Sequence, residues 1–226
     1  MTKKIRVGIV DTGIQNPDHP AIKNNIVSCA NFSYDGRKST DILSSNSHGQ
    51  AVASVITRVA PESELVIVKT LDDLGVGTPD NVANGIRYCI AVGCDIINCS
   101  VATHHSRKLE EAVKLANNKG VIVVAASGND GKATKYYPAC YHYVVAVGAM
   151  NNNGKKADFS SRNEFVDILA PGVDIEVAYG KDGYTLMSGT SFATSFITGK
   201  LALLKEQYRE LNSEELLNLL KQLDDK

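Results

Sequence analysis

An α/β fold, built as a three-layer sandwich around a mostly parallel central sheet, is predicted by three features of the sequence. Six short runs rich in β-branched residues are almost continuously apolar, as strands covered on both faces are. Helical patterns alternate with these runs in the manner of βαβ units. The 226 residues hold no internal repeat, low-complexity stretch or linker, so residues 1–226 read as one domain.

The strands expected are Ile5–Val10, Leu65–Lys69, Asp95–Asn98, Val121–Ala126, Tyr143–Val147 and Val166–Leu169. A first helix opens at Ser47-His48-Gly49 and continues through Val52, Val55 and Ile56. The second is announced by Thr78-Pro79-Asp80, which supplies a capping hydroxyl, a proline at the first helical position and an acid at the positive dipole end. Val82, Ile86, Cys89 and Ile90 then recur at helical spacing. Ser106 is placed to cap a third helix, with Leu109, Val113 and Ala116 inward and Gly120 closing it. A fourth follows Gly189-Thr190-Ser191 and runs to about Tyr208. A last helix, capped by Asn212 or Ser213, carries Leu216, Leu217, Leu220 and Leu223. Packing on the body of the domain is its expected role, with contact to a partner as the alternative.

Composition narrows the function classes. With 24 basic and 25 acidic residues the formal net charge is −1, which lacks the basic face that nucleic-acid or membrane-surface binding needs. No apolar run approaches the roughly 18–20 residues that span a bilayer. Met1-Thr2-Lys3-Lys4 leads into a short strand broken at Asp11, not into a secretory h-region. Five cysteines, an odd number without a C-x-x-C pair, indicate neither a disulfide framework nor a zinc site. Reduced thiols in a cytoplasmic protein, with no cofactor and no metal, are the expectation.

Three segments place a reactive side chain at the edge of an element. Asp11 follows the strand Val7-Gly8-Ile9-Val10, at the carboxyl end of a sheet where open α/β folds build their sites. His48 opens a helix. Ser191, in Ser188-Gly189-Thr190-Ser191-Phe192-Ala193, follows a glycine turn at the start of an apolar helix, in the positive potential that favours a developing alkoxide. These three types suit one division of labour: Ser191 attacks a carbonyl, His48 takes its proton, and Asp11 fixes the imidazole tautomer. Asn129, ending the strand segment Ala125-Ala126-Ser127-Gly128, offers an amide to the oxyanion.

In this order the motifs resemble those of the subtilases, the subtilisin-like serine peptidases. Asp11-Thr12-Gly13-Ile14 is similar to the family's aspartate motif and His48-Gly49 to its histidine motif. Ala126-Ser127-Gly128-Asn129 resembles the oxyanion segment, and Gly189-Thr190-Ser191-Phe192-Ala193-Thr194 the serine motif. Ile97-Asn98-Cys99-Ser100 looks like the strand that lines bound substrate, and Leu169-Ala170-Pro171-Gly172 fits the turn before the serine. The resemblance covers nearly the whole chain. It implies a subtilisin-like fold, peptide-bond hydrolysis through an acyl-enzyme, and substrate contacts at Ser100, Val101, Ala102, Ala126, Ser127, Gly128 and Tyr136. A peptide or protein substrate is the implied partner.

The chain departs from the family pattern in several places. Gln50 stands where a threonine usually follows His-Gly, Ser195-Phe196 replaces Pro-His, and Ala102 replaces a glycine. The loop Asp130–Tyr137 is short and brings Lys135 and Tyr136 toward the base of the primary pocket. The tight-calcium insertion and the propeptide of secreted relatives are expected to be missing. These features favour a narrow-specificity endopeptidase, such as one maturing a precursor or removing a leader peptide. The alternatives are a general intracellular protein-degrading subtilase or an inactive peptide-binding module. Acyl transfer is disfavoured because no long insertion shields an acyl-enzyme from water. An aspartic protease would need a second Asp-Thr-Gly, and an α/β-hydrolase a histidine after the serine; the last histidine is His142. For His104-His105 a place on the substrate rim ranks above a metal site, but neither is the main expectation. The cysteines read as small core residues, with a thiol-sensitive Cys99 as the alternative.

Overall fold

In the computed structural model, which describes residues 3–224, a seven-stranded sheet forms the middle layer. Its strands are β1 (Arg6–Asp11), β2 (Ile26–Asn31), β3 (Glu64–Lys69), β4 (Ile96–Cys99), β5 (Ile122–Ala126), β6 (Val144–Met150) and β7 (Ile168–Pro171). The order is β2-β3-β1-β4-β5-β6-β7, and every neighbouring pair is parallel. The chain therefore reverses direction of sheet growth between β1 and β4, the kind of switch point at which such sheets open a crevice.

The three-layer expectation holds, and side-chain alternation along the strands explains it. Val7, Ile9, Leu65, Ile67, Ile96, Ile122, Val124, Val145 and Val147 face one side, against α1 (His48–Val59), α4 (Thr190–Gln207) and α5 (Ser213–Asp224). Val10, Val66, Val68, Ile97, Cys99, Val123, Ala125 and Ala146 face the other, against α2 (Pro79–Ala91) and α3 (Arg107–Asn118). Each fully buried Val, Leu or Ile stabilises the fold by about 1.5–3 kcal/mol.

The six expected strands are present with ends shifted by no more than three residues. Two features were not expected. β2 is an edge strand with a register irregularity between Ile26 and Ser28, so its apolar pattern is broken. An antiparallel hairpin, β8 (Ile175–Tyr179) with β9 (Gly183–Met187), leads straight into the segment that carries Ser191. Of its strand residues only the neighbours Val177 and Ala178 are buried, and Glu176 and Asp182 lie in or beside the strands, which hides the strand signal.

Of the caps read from the sequence, Thr78 and Asn212 form and Ser106 does not. Thr78 Oγ1 accepts the Asn81 N–H at 3.2 Å at the start of α2. For α5, Asn212 Oδ1 accepts the N–H groups of Glu214 and Glu215 while Glu215 returns a carboxylate to the Asn212 N–H, a reciprocal capping box. Ser106 precedes α3 but makes no side-chain cap; its hydroxyl donates to Asp80 at 3.5 Å instead. In α5, Leu216, Leu217 and Leu220 are buried in the main core, as the packing reading requires, whereas Leu223 is half exposed.

Candidate active site

Asp11 is the last residue of β1 and is buried. Its Oδ1 accepts both the Thr12 N–H and His48 Nδ1, each at 2.7 Å. His48 is the first residue of α1, and Asn46 Oδ1 caps its backbone N–H at 3.0 Å. The next residue explains the His-Gly pair. The Gly49 N–H donates to Thr12 Oγ1 at 3.0 Å, and a Cβ on Gly49 would lie 2.2 Å from the Gly13 carbonyl oxygen. Only glycine lets the helix approach the turn after Asp11 so closely. Burial disfavours a charged His48, but the charge and hydrogen bond of Asp11 outweigh it and hold its pKa above the ordinary histidine value. With Nδ1 committed to Asp11, Nε2 is the ring nitrogen left to take up a proton.

Ser191 is the second residue of α4, where backbone N–H groups lack intrahelical partners. Its hydroxyl donates to the Ser100 carbonyl oxygen at 3.4 Å. The Ser100 hydroxyl in turn donates to the Ser191 carbonyl at 3.0 Å and accepts from Asn98 Nδ2 at 2.9 Å, while Thr198 donates to Asn98 Oδ1. This buried network seats the start of α4 on the end of β4. Asn129 lies just beyond β5. Its Oδ1 accepts two bonds from Thr190, from the backbone N–H at 2.9 Å and from Oγ1 at 2.8 Å, so the Nδ2 donors are left for the cleft.

A cleft of about 810 Å³ joins these groups; His48, Asn129 and Ser191 line it, and Asp11 stands behind His48. Of the expected substrate contacts, Ser100, Val101, Ala102, Ala126, Gly128 and Tyr136 also line it. Ser127 does not. It is 1% exposed, and its N–H donates to the Val147 carbonyl at 3.0 Å, because alternation past β5 turns residues 126 and 128 toward the cleft and 127 away. Lys135 is also displaced from the pocket base: it is exposed, paired with Glu164 at 3.0 Å and set over the Phe165 ring. His104 lines the cleft, whereas His105 packs edge-on against Tyr137 and Tyr141, so the two neighbours diverge. Cys99 is fully buried, and burial beside Asp11 pushes its thiol well up, which removes the thiolate that sensitivity requires.

Several cleft residues went unrecognised in the sequence. Thr190 orients Asn129, and Leu71, Gly75, Val76, Gly77, Val82, Thr103 and Asp130 form further wall. The Gly75-Val76-Gly77 loop was visible as two glycines around an apolar residue. Lys69 was hidden inside a strand. It is completely buried, donates to the Thr12 carbonyl at 2.9 Å and Asp73 at 3.0 Å, and sits 3.7 Å from Asp35. Gln50 is buried too. Its Oε1 accepts the Asn16 N–H at 2.6 Å and its Nε2 donates to the Gly180 carbonyl at 2.9 Å, tying α1 to the β8–β9 turn.

A parallel α/β sheet with Asp, His, Ser and Asn meeting at its carboxyl edge defines the serine-hydrolase class of site. Comparison with known proteins makes this specific: the model of the subtilase family matches residues 2–223, and the chain belongs to that family. It is 36% identical over 231 residues to the thermophilic serine proteinase of Bacillus sp. (strain AK1), covering 97% of this chain but 56% of that protein. It is 37% identical over 218 residues to the intracellular serine protease of Paenibacillus polymyxa, covering 89% and 67%. Among solved structures, a cold adapted subtilisin-like serine proteinase superimposes with a TM-score of 0.85 at 30% identity, covering 96% of this chain and 80% of that one. The prenylagaramide maturation protease PagA gives 0.80 at 31% identity, with the same coverage. The chain thus spans little more than half the length of the first of these relatives. Among the described residues, no helix is long and apolar enough to cross a membrane.

Proposed function

We propose that this chain is a serine endopeptidase that cleaves peptide bonds through Asp11, His48 and Ser191, with Asn129 in the oxyanion site. The observation that carries this reading is the 2.7 Å bond from His48 Nδ1 to buried Asp11, in a cleft shared with Ser191 and the free amide of Asn129. Ser191 Oγ turns from the Ser100 carbonyl, bonds to the substrate carbonyl carbon and passes its proton to His48 Nε2. The electron pair displaced onto the carbonyl oxygen is held by Asn129 Nδ2 and the Ser191 N–H. Collapse breaks the C–N bond, His48 gives its proton to the departing amine, and water repeats the sequence to release the acid.

The substrate class we favour is a precursor peptide cut at a defined place. Similarity to a protease described as a maturation protease supports it, as does a cleft whose walls carry Ala102 and Tyr136. A cytoplasmic location is supported by five free cysteines and by the relative described as intracellular. The test is a fluorophosphonate probe followed by a peptide-library profile. Labelling of the wild type and none of Ser191→Ala is expected, with cleavage confined to a few related sequences. Equal labelling of both proteins would sink the triad, and rapid digestion of casein would remove the narrow specificity.

A further inference from the structure

Lys69 ends β3 as a completely buried cation after the buried apolar run Leu65-Val66-Ile67-Val68. An uncharged side chain of similar length would fill this volume without dehydrating a charge, so what the ammonium contributes is its bonds. Parallel pairing sets Lys69 beside Asp11 in the sheet. The backbone ladder ends there. The Asp11 carbonyl accepts the Thr70 N–H at 2.8 Å, whereas the Thr12 carbonyl accepts Lys69 Nζ at 2.9 Å. The turn after Asp11 backs onto the same side chain, since a Cβ on Gly13 would lie 3.2 Å from Lys69 Cδ.

Thr12 links the acid to the base. Its N–H donates at 2.7 Å to Asp11 Oδ1, the oxygen that also accepts His48 Nδ1. Its Oγ1 accepts the Gly49 N–H at 3.0 Å, in the first turn of the helix that His48 opens. Asp11 Oδ2 finds no partner among the described residues, so the two bonds on Oδ1 orient the carboxylate. Lys69 is held in turn: Nζ donates to Asp73 Oδ1 at 3.0 Å, and Asp73 is gripped by Arg37 at 2.6 Å, Ser44 at 3.1 Å and Ser45 at 3.3 Å. The Arg37 guanidinium, with Lys69 behind it, outweighs burial and holds the Asp73 carboxyl far below the usual carboxylate range, so the pair stays ionic at neutral pH.

Resting on the peptidase reading, we propose that Lys69 is a positioning residue for the acid–base pair: by holding the Thr12 carbonyl it fixes the turn that orients Asp11 and seats His48. It acts through Thr12 alone. Without the ammonium, the peptide unit between Thr12 and Gly13 is free to rotate, and the Thr12 N–H and hydroxyl shift with it. A misplacement of about 1 Å at reacting groups costs about 10² in rate. A looser Asp11–His48 bond also leaves the burial of His48 less opposed, which lowers the pKa that Asp11 holds up.

The test uses the whole chain and diisopropyl fluorophosphate, a reagent that needs no knowledge of the substrate. The second-order rate of Ser191 modification is followed by intact mass from about pH 5 to about pH 9, across the histidine range and well below each variant's unfolding transition. Lys69→Met is expected to react about 20-fold slower, with its rate climbing through a pH about half a unit below the wild type. Leu216→Ala, in the core and outside the cleft, loses comparable stability and should keep the wild-type pH limb and a rate within about twofold. Thr12→Ala keeps both backbone groups, loses the tie to Gly49 and should slow about fivefold. A folded Lys69→Met with the wild-type rate and limb overturns the assignment. A wild-type rate in Thr12→Ala does the same, whether or not Lys69→Met folds. Equal slowing and an equal limb shift in Leu216→Ala and Lys69→Met would make the role of Lys69 structural alone and end the proposal. A wild-type chain that the reagent fails to modify at Ser191 overturns the peptidase reading, and the part of Lys69 with it.

Discussion

Thr190 grips Asn129 by its carbonyl oxygen alone, and this decides which end of the amide faces the cleft. Asn129→Ala should therefore lower kcat by about 10²–10³ with little change in KM, a magnitude taken from an oxyanion donor of subtilisin itself. Thr190→Val keeps the backbone bond and loses the hydroxyl bond, so a fall of about tenfold is expected, in line with one hydrogen bond. Steady-state kinetics on one cleaved peptide separates the two. For His48, the raised pKa means that kcat/KM climbs through a value above 6.5, since only neutral imidazole accepts the Ser191 proton. Asp11→Asn should move that limb downward and cut kcat by about 10⁴, read from a pH–rate profile. Stability carries the opposite sign: the His48–Asp11 pair contributes fully below the unfolded pKa near 6.5 and is lost as pH rises through the folded value. Asp11, His48, Ser191 and Asn129 were legible because their motifs are short and local. Thr190 was visible only as part of the serine motif, since its partner lies 61 positions away.

At the scale of elements, the β8–β9 hairpin shows what sequence reading missed and why. Neither strand has an alternating pattern that stands out, because β8 buries only the neighbours Val177 and Ala178 and β9 buries no residue. The turn is instead gripped by polar side chains from distant segments: Gln50 on the Gly180 carbonyl, Gln15 on the Gly180 N–H, Asn16 on the Lys181 carbonyl and His19 on the Gly183 carbonyl. Gln50 was visible as a departure from the family pattern, yet its meaning depends on a turn 130 residues away. Gln50→Ala leaves the Asn16 N–H and the Gly180 carbonyl without that partner and should cost about 1–3 kcal/mol, measured as a lower urea midpoint at constant slope. Lys69 is the stronger case. Lys69→Met strips Asp35 and Asp73 of a buried cation beneath the Asp11–Thr12 turn and should destabilise by about 3–5 kcal/mol in the same assay.

For the whole molecule, parallel strands fed by capped helices made the layers readable, because near-continuous apolarity and cap residues are both local signals. The sheet order was not readable, since β2 and β3 cross back to one side of β1 through pairings that no local pattern encodes. The last helix belongs to the body of the fold: Leu216→Ala should cost about 2–5 kcal/mol, seen by thermal unfolding, whereas Leu223→Ala at a half-exposed site should cost far less. Helix α4 brings Ser191 to the cleft and packs against β4, β5, β6, β7 and α1. During synthesis, therefore, Asp11, His48 and Asn129 leave the ribosome before Ser191 and the helix that carries it. Ser191 and the central helix that completes the core arrive together, so the cleft is assembled only as the fold becomes stable.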